Sequence, residues 1–205
     1  MDPAIRTLLL PPLPPDRAEI LRYALLPANA PVPQELPLDE CIDRVRGRVR
    51  CRAVWREYPL ALKGDMCDLG FATVRSVSLA KHLRGAEAIV LMACTAGAEM
   101  DRLIARAALR SPTHALLTHA IGDQQVEAGA DRLCAMLTEQ YPGRTLTGRF
   151  SPGYGDLPLD LQKDVTEALS CGLTIGVSMS ESSMLKPVKT VTAIIGIARR
   201  EETCP

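Results

Sequence analysis

The chain has 205 residues, a length typical of one globular domain that needs neither a metal nor a disulfide to fold. Aromatic residues make up only 3% of it, so the core must be built from Leu, Ile, Val, Ala and Met. Lys plus Arg (24) balances Asp plus Glu (24), and this zero net charge argues against a nucleic-acid partner, which requires clustered positive charge.

The seven cysteines are widely spaced, odd in number and include no CxxC pair, which is typical of free thiols in a reducing compartment. No signal peptide opens the chain, and no apolar run approaches the length of a membrane span. We therefore expect a cytoplasmic protein that has no membrane partner.

The N-terminal region, residues 1–37, is predicted to be a proline-rich arm with one short helix. Leu8–Pro15 has too many prolines for a helix or a central strand, Asp16 is a plausible N-cap, and Pro27–Pro37 is a second proline-rich stretch that connects to the rest. Residues 38–205 are predicted to form the main domain.

The main domain begins with a predicted helix over Leu38–Arg48. The basic run Arg44–Arg52 overlaps the end of this helix, and we interpret it as a solvated helix face that leads into a strand. Val54–Tyr58 and Cys67–Arg75 favour two strands. The turn at Lys63–Asp65 predicts that these strands form a hairpin.

A short helix through Leu83 follows, capped by Ser76 or Ser78. Ala86–Cys94 is a continuous apolar run, which is typical of a strand buried on both faces. After a turn, one helix is predicted through Arg110, and a long one over Thr113–Gln140.

The remaining predicted elements are a loop at Arg149–Pro158, a helix at Leu159–Ser170 and strands at Leu173–Met179 and Lys189–Ala198. Hairpins occur where a doubly wound fold would need crossovers. The predicted class is α+β, with a mainly antiparallel twisted sheet and flanking helices.

The usual catalytic and metal-binding patterns are missing from the sequence. The turn Cys94–Gly97 has one glycine where a dinucleotide fingerprint needs three, so we interpret it as a structural turn. His82, His114 and His119 do not form a ligand set, and no nucleophile elbow occurs, so we expect no metal site and no catalytic residue. Any chemistry must therefore proceed without a general base or a protein nucleophile.

The segment Arg149–Asp156 (RFSPGYGD) is the most distinctive one in the chain. Its glycines allow a ligand to approach the backbone closely, Arg149 offers a planar fork for a carboxylate, and Tyr154 provides a rigid face with a polar tip. The alternative is a glycine-shaped turn with a packed tyrosine.

The long helix provides a second candidate, because Glu127 and Asp131 are four residues apart and share one face. Acids on a helix are most often solvated. Beside the apolar stripe of this helix, however, an acid is also placed to bind the ammonium or a ribose hydroxyl of a ligand.

Together these stretches resemble the S-adenosylmethionine-binding activation domain of cobalamin-dependent methionine synthase. The resemblance lies in Val126-Glu127-Ala128 with Ala130-Asp131-Arg132-Leu133, then Arg149-x-x-Pro152-Gly153-Tyr154, and then the helix Leu159–Ser170 and the strand Thr190–Gly196. The similarity is best over Cys94–Ala198.

The resemblance implies a role in methionine biosynthesis. In that family, cobalamin that has been oxidised to its inactive Co(II) form is restored to methyl-cobalamin by an electron from a flavodoxin-like protein and a methyl group from S-adenosylmethionine. By position, Arg149 would bind the ligand carboxylate, Ser151 and Gly153 would supply backbone contacts, Tyr154 would pack on the ligand, and Glu127 would meet the amine or ribose. The chain lacks the substrate-binding and cobalamin domains, so it would act as a methyltransferase component on a separate corrinoid protein and would not make methionine alone.

The sequence departs from the family in two places. Ile195 stands where the family has an aromatic residue beside the ligand, and Asp65 and Asp68 are only candidates for its N-terminal acidic contact. Cys204 is alone at the tail, so we expect no cysteine cluster there.

Two other functions stay open at this point. One is a scaffold that keeps the fold without the ligand, and the other is an ordinary S-adenosylmethionine methyltransferase that uses the Cys94–Gly97 turn. An Arg149 side chain buried in a structural ion pair, with no cavity between the bend and the long helix, would exclude the ligand-binding hypothesis.

Overall fold

The structure is a computed structural model that describes residues 4–26, 36–181 and 183–199. Most of the predicted connector Pro27–Pro37, and Cys204, lie outside these ranges. The elements in chain order are β1 (Arg6–Leu9), α1 (Arg17–Tyr23), α2 (Leu38–Val45), β2 (Arg52–Pro59), β3 (Ala61–Lys63), β4 (Met66–Asp68), β5 (Thr73–Arg75), α3 (Val77–His82), β6 (Ala86–Thr95), α4 (Ala98–Ala108), α5 (Pro112–Gln140), β7 (Arg144–Leu146), α6 (Leu161–Ala168), α7 (Cys171–Thr174), β8 (Ser178–Met179), β9 (Leu185–Lys186) and β10 (Thr190–Arg199).

The main sheet has five antiparallel strands in the order β1-β2-β6-β10-β7. Strand β6 lies between β2 and β10, and all its residues from Ala88 to Thr95 are buried. This explains its uninterrupted apolar sequence, since a strand covered on both faces cannot alternate with polar residues. The α+β class with an antiparallel sheet and flanking helices is confirmed.

Helices and a small sheet cover the two faces of the main sheet, so the core has two layers. On one face, Trp55, Met92 and Ile195 pack against α1, α2, α4 and α5. On the other face, Leu91 and Ile194 pack against α3, α6, α7 and the three-stranded sheet β3-β4-β5. The alternation of side chains along each strand assigns neighbouring residues to opposite layers.

The predicted hairpin between Val54–Tyr58 and Cys67–Arg75 is wrong. Strand β2 pairs with β1 and β6 instead, and the turn around Gly64 joins β3 to β4. The second predicted strand is broken by a turn in which Gly70 has a φ of +75° and donates its amide to the carboxylate of Asp68 (3.0 Å). The predicted strand is therefore split into β4 and β5, which belong to the separate three-stranded sheet.

The end of the chain also differs from the prediction. Most of the predicted strand Leu173–Met179 is the helix α7 and the turn after it, because Gly176 has a φ of +72° and ends the helix. Strand β7, which the sequence analysis assigned to no element, pairs with the last three residues of β10.

The described part of the N-terminal arm packs onto the rest of the molecule. Strand β1 is an edge strand of the main sheet, and the carboxylate of Asp16 caps α1 by accepting the amides of Ala18 (2.9 Å) and Glu19 (3.1 Å). Ile20 of α1 is fully buried in the layer that contains α5. The division at residues 37 and 38 stays a prediction.

Among the described helices, none combines the length and the apolar character that a bilayer-spanning segment requires.

Candidate functional site

The segment that carries the predicted site runs along the edge of β10 that faces away from β6. After β7, the amide of Phe150 donates to the carbonyl of Ile194 (3.0 Å), and the amide of Ile194 donates to the carbonyl of Phe150 (2.8 Å). Neighbouring side chains of an extended segment point in opposite directions. Phe150 therefore packs into the layer with α3 and α6, whereas Arg149 reaches toward α5.

Arg149 forms ion pairs with both predicted acids of α5. Its Nη2 atom lies 2.8 Å from Oε2 of Glu127 and 2.8 Å from Oδ1 of Asp131. Burial alone would lower the pKa of Arg149, but the adjacent charge and hydrogen bond of Glu127 raise it above its ordinary value. The three side chains, called the Arg149 cluster below, carry one positive and two negative charges.

The ion pair meets part of the condition that the sequence analysis set against ligand binding. The Arg149 side chain keeps 22% of its surface exposed and that of Asp131 keeps 71%, so the cluster lies at the surface rather than in the core. Both acids contact the same nitrogen, and within the described chain no partner is found for Nε or Nη1 of Arg149. Four cavities are found among the described residues, and the Arg149 cluster and the bend after it line none of these four.

The bend that follows is held by its own hydrogen bonds. The hydroxyl of Ser151 donates to the carbonyl of Thr192 (2.7 Å), and the amide of Gly153 donates to the carbonyl of Leu157 (2.9 Å). Gly153 has a φ of +90°, a conformation that side-chain-bearing residues rarely adopt. These bonds make the bend a preformed surface next to β10.

Tyr154 lies on the outside of this bend. Tyr154 is 58% exposed. Its ring and that of Phe150 form a T-shaped contact with the centroids 6.0 Å apart. The ring is thus in contact with Phe150 on one side, and more than half of the residue surface is open to solvent.

Asp156 anchors the far end of the bend to α3. Its carboxylate accepts the hydroxyl of Ser76 (2.6 Å) and the amides of Val77 (2.8 Å) and Ser78 (3.0 Å). These three hydrogen bonds, that of Ser76 foremost, hold the pKa of Asp156 well below its usual range. Asp156 ends the RFSPGYGD motif, and no role was predicted for it; its position directly after Gly-Tyr-Gly is the sequence signal that marks it.

The structure brings together the five predicted site residues only in part. Glu127 and Arg149 are in contact, and Ser151, Gly153 and Tyr154 form the adjacent bend. Asp131 belongs to the same cluster although it was not among the five. Its spacing from Glu127 was noted, but its pairing with Arg149 is a tertiary contact that no sequence pattern marks.

The other candidates lie elsewhere. Ile195 is 1% exposed in the core layer toward α5 and borders no open surface. Asp65 binds Arg75 (2.8 Å), and Asp68 caps the turn at Gly70. The turn after β6 is closed by its own contact, in which the amide of Gly97 donates to the hydroxyl of Thr95 (3.1 Å). In the described part of the chain, no group of three or more His, Cys, Asp or Glu side chains is arranged to hold a metal ion.

No protein-family model and no curated protein matches this sequence. Among solved structures, the fold is similar to that of the MetH reactivation domain bound to AdoHcy, with a TM-score of 0.63. The two sequences are 15% identical, and the match covers 98% of this chain and 80% of that chain. At this identity the similarity concerns the fold, and it confirms that the chain has the architecture that the resemblance to the activation domain implied.

Proposed function

We propose that this chain binds S-adenosylmethionine at the Arg149 cluster and the adjacent bend, and that it supports reductive remethylation of cobalamin held by a separate corrinoid protein. The observation that carries this proposal is the charge pattern of the cluster. One guanidinium between two carboxylates is complementary to the zwitterionic amino-acid end of the ligand.

Each residue has a role in this proposal that its observed contacts allow. Arg149 would bind the ligand carboxylate through Nε and Nη1, the nitrogens that the two acids leave open, while Glu127 and Asp131 would accept the ammonium group. The amide of Gly153 is already donated to Leu157, so its contribution would be its carbonyl and the space left by its missing side chain. Tyr154 would pack its exposed ring on the ligand.

The chemistry requires little else of this chain. The bound sulfonium is an activated methyl donor, and the acceptor is the metal of the partner's corrinoid. The residues named above would bind and aim the methyl group, which is an orientation effect that needs no general base. A flavodoxin-like protein as electron donor and a cytoplasmic location are parts of the same proposal.

A scaffold function is the second candidate, and one observation favours it. Both acids already neutralise Arg149, so the cluster is complete without a ligand. Under this alternative, Arg149 would serve only to fasten the 149–158 segment to α5.

Isothermal titration distinguishes the two functions. Wild type should bind S-adenosylmethionine and not ATP, and Arg149→Ala should weaken binding at least about ten-fold, as expected for loss of a charge-assisted hydrogen bond. Arg106→Ala, which removes an arginine from α4, is the matched control and should bind like wild type.

A ligand analogue tests whether Arg149 binds the carboxylate of the ligand. Decarboxylated S-adenosylmethionine lacks the group assigned to Arg149, so Arg149→Ala should bind it at least as tightly as wild type, because Glu127 and Asp131 then face the ligand ammonium without a competing cation. The titrations are repeated with a corrinoid protein present, because that partner is proposed to face the site. No heat at millimolar ligand under either condition would contradict ligand binding and favour the scaffold function.

A further inference from the structure

A cavity of about 90 Å³ lies between α2, α4 and the first turns of α5, and four arginines line it. Arg44 and Arg48 come from α2 and the turn after it, and Arg106 and Arg110 come from the end of α4 and the turn that follows it. Apolar side chains, among them Leu103, line the same cavity. Its lining is thus strongly basic in a chain whose net charge is zero.

The described residues supply a single carboxylate to these arginines. Glu40 accepts hydrogen bonds from Arg44 (3.0 Å) and Arg110, and its Oε2 lies 3.5 Å from Nε2 of His114. The pKa of Glu40 is lowered to about 2 by Arg110 first, and then by Arg44 and His114. Four positive charges therefore face one negative charge.

Two of the four guanidiniums have no acid beside them. Within the described ranges, neither Arg48 nor Arg106 forms a side-chain hydrogen bond or an ion pair, although each lines the cavity. All four arginines are exposed residues around this space, so solvent weakens their mutual repulsion, and an anion that enters the space can contact more than one of them. A guanidinium is also the side chain best shaped for two parallel hydrogen bonds to a phosphate.

We propose that this cavity is a binding site for a small ligand that carries a phosphate or diphosphate group. The ligand oxygens bind Arg48 and Arg106 directly and compete with Glu40 for Arg44 and Arg110. The concave shape with its apolar lining suits a small molecule, since an extended polyanion requires charges that are spread along an open surface.

This site is separate from the Arg149 cluster. His114 and Glu127 are 13 positions apart on α5, which at helical rise corresponds to about 20 Å. The proposal therefore does not depend on the function proposed above. The Arg149→Ala variant should bind phosphate like wild type, just as Arg106→Ala should bind S-adenosylmethionine like wild type.

The test is titration of the full chain with inorganic phosphate and with pyrophosphate, at constant ionic strength set by chloride. The double variant Arg48→Gln, Arg106→Gln should weaken binding of both at least about ten-fold. The matched control is Arg50→Gln, Arg84→Gln, which removes two exposed arginines that do not line this cavity and should leave the affinity unchanged. Glu40→Gln should bind pyrophosphate more tightly, because the competing carboxylate is gone.

Four results would overturn the proposal. The first is an equal response to phosphate and chloride at matched ionic strength, and the second is equal weakening by the control pair. The third is a loss of affinity in Glu40→Gln, which would show a closed structural network. If the arginines only balance the carbonyl ends of α2 and α4, the variants will change thermal stability without any dependence on phosphate.

Discussion

Asp156 is one residue whose charge fastens the far end of the 149–158 segment to α3. Its carboxylate accepts three hydrogen bonds at the start of α3, from Ser76, Val77 and Ser78. A neutral side chain of the same shape would keep part of this geometry but would lose the charge that strengthens each bond. The bend next to the Arg149 cluster is therefore held through a contact with a helix on the opposite side of the sheet.

Asp156→Asn should destabilise the protein at neutral pH, and the difference from wild type should shrink in acid. The folded state lowers the pKa of Asp156, so its contribution is complete above the unfolded-state pKa, about 4, and is lost as pH falls through the folded-state pKa. Urea unfolding from pH 7 down to about pH 2 measures the difference.

The matched control for that series is Asp160→Asn. Asp160 is exposed in the same loop region, and its side chain makes no capping hydrogen bond. It should change stability little at any pH. A constant difference between wild type and Asp156→Asn across the series would contradict the assignment of the effect to this carboxylate.

The site illustrates what residue types alone reveal. An arginine, two glycines and a tyrosine in one bend singled out the segment 149–156, and the four-residue spacing of Glu127 and Asp131 singled out the helix face that Arg149 contacts. The direct contact of Arg149 with both acids could not be predicted, because it depends on which edge of β10 the segment follows. That edge is set by backbone pairing at Ile194, which leaves no mark in the sequence.

At the scale of elements, α5 carries a stripe of acids whose partners all come from elsewhere. Asp123, Glu127 and Asp131 are spaced by four residues, an arrangement that destabilises an isolated helix. Lys189 pairs with the first at 2.7 Å, and the single charge of Arg149 is shared by the other two. The acids on this face of α5 are therefore stabilised by tertiary ion pairs and not by contacts within the helix.

Close approach of α5 to the sheet depends on Gly129. A Cβ at this position would lie 3.0 Å from Sγ of Cys94 and 3.1 Å from Cβ of Cys51. Gly129→Ala should lower the free energy of unfolding by about 1–3 kcal/mol, since overpacking outweighs the gain of about 1 kcal/mol in helix propensity. Denaturant unfolding measures this change.

A double-mutant cycle identifies the cause of that loss. In a Cys94→Ala background, Gly129→Ala should cost less than in wild type, because the nearest atom has been removed. Gly172→Ala in α7, whose added Cβ would have no neighbour closer than 3.8 Å, serves as the control and should be neutral or stabilising by up to about 1 kcal/mol. An equal cost of Gly129→Ala in both backgrounds would contradict the packing explanation.

Long elements were predictable and short ones were not. The limits of α5 and β6 were predicted to within one residue, because each has a long uniform pattern with clear stop signals. Strands β3, β4, β5 and β7 have three residues each, which is too short for periodicity to distinguish them from loops. Their pairing is decided by tertiary contacts.

At the scale of the whole molecule, the N-terminal region shares its core with the rest. Ile20 is fully buried in the layer that contains α5. Ile20→Ala should lower the free energy of unfolding by about 2–5 kcal/mol, as large-to-small changes in a core do, and unfolding should keep a single transition. Leu109→Ala, at an exposed position, should change it little. A small effect of Ile20→Ala would instead support an independent arm over residues 1–37.

The sheet order β1-β2-β6-β10-β7 places β10, the last strand among the described residues, in the interior of the sheet. While the ribosome is still adding β10, the edge of β6 is unpaired, and an apolar strand with an open edge is prone to aggregation. The main sheet can be completed only after translation has passed residue 199. We therefore expect nascent chains of this protein to aggregate more readily before β10 is made than chains whose central strands are made first.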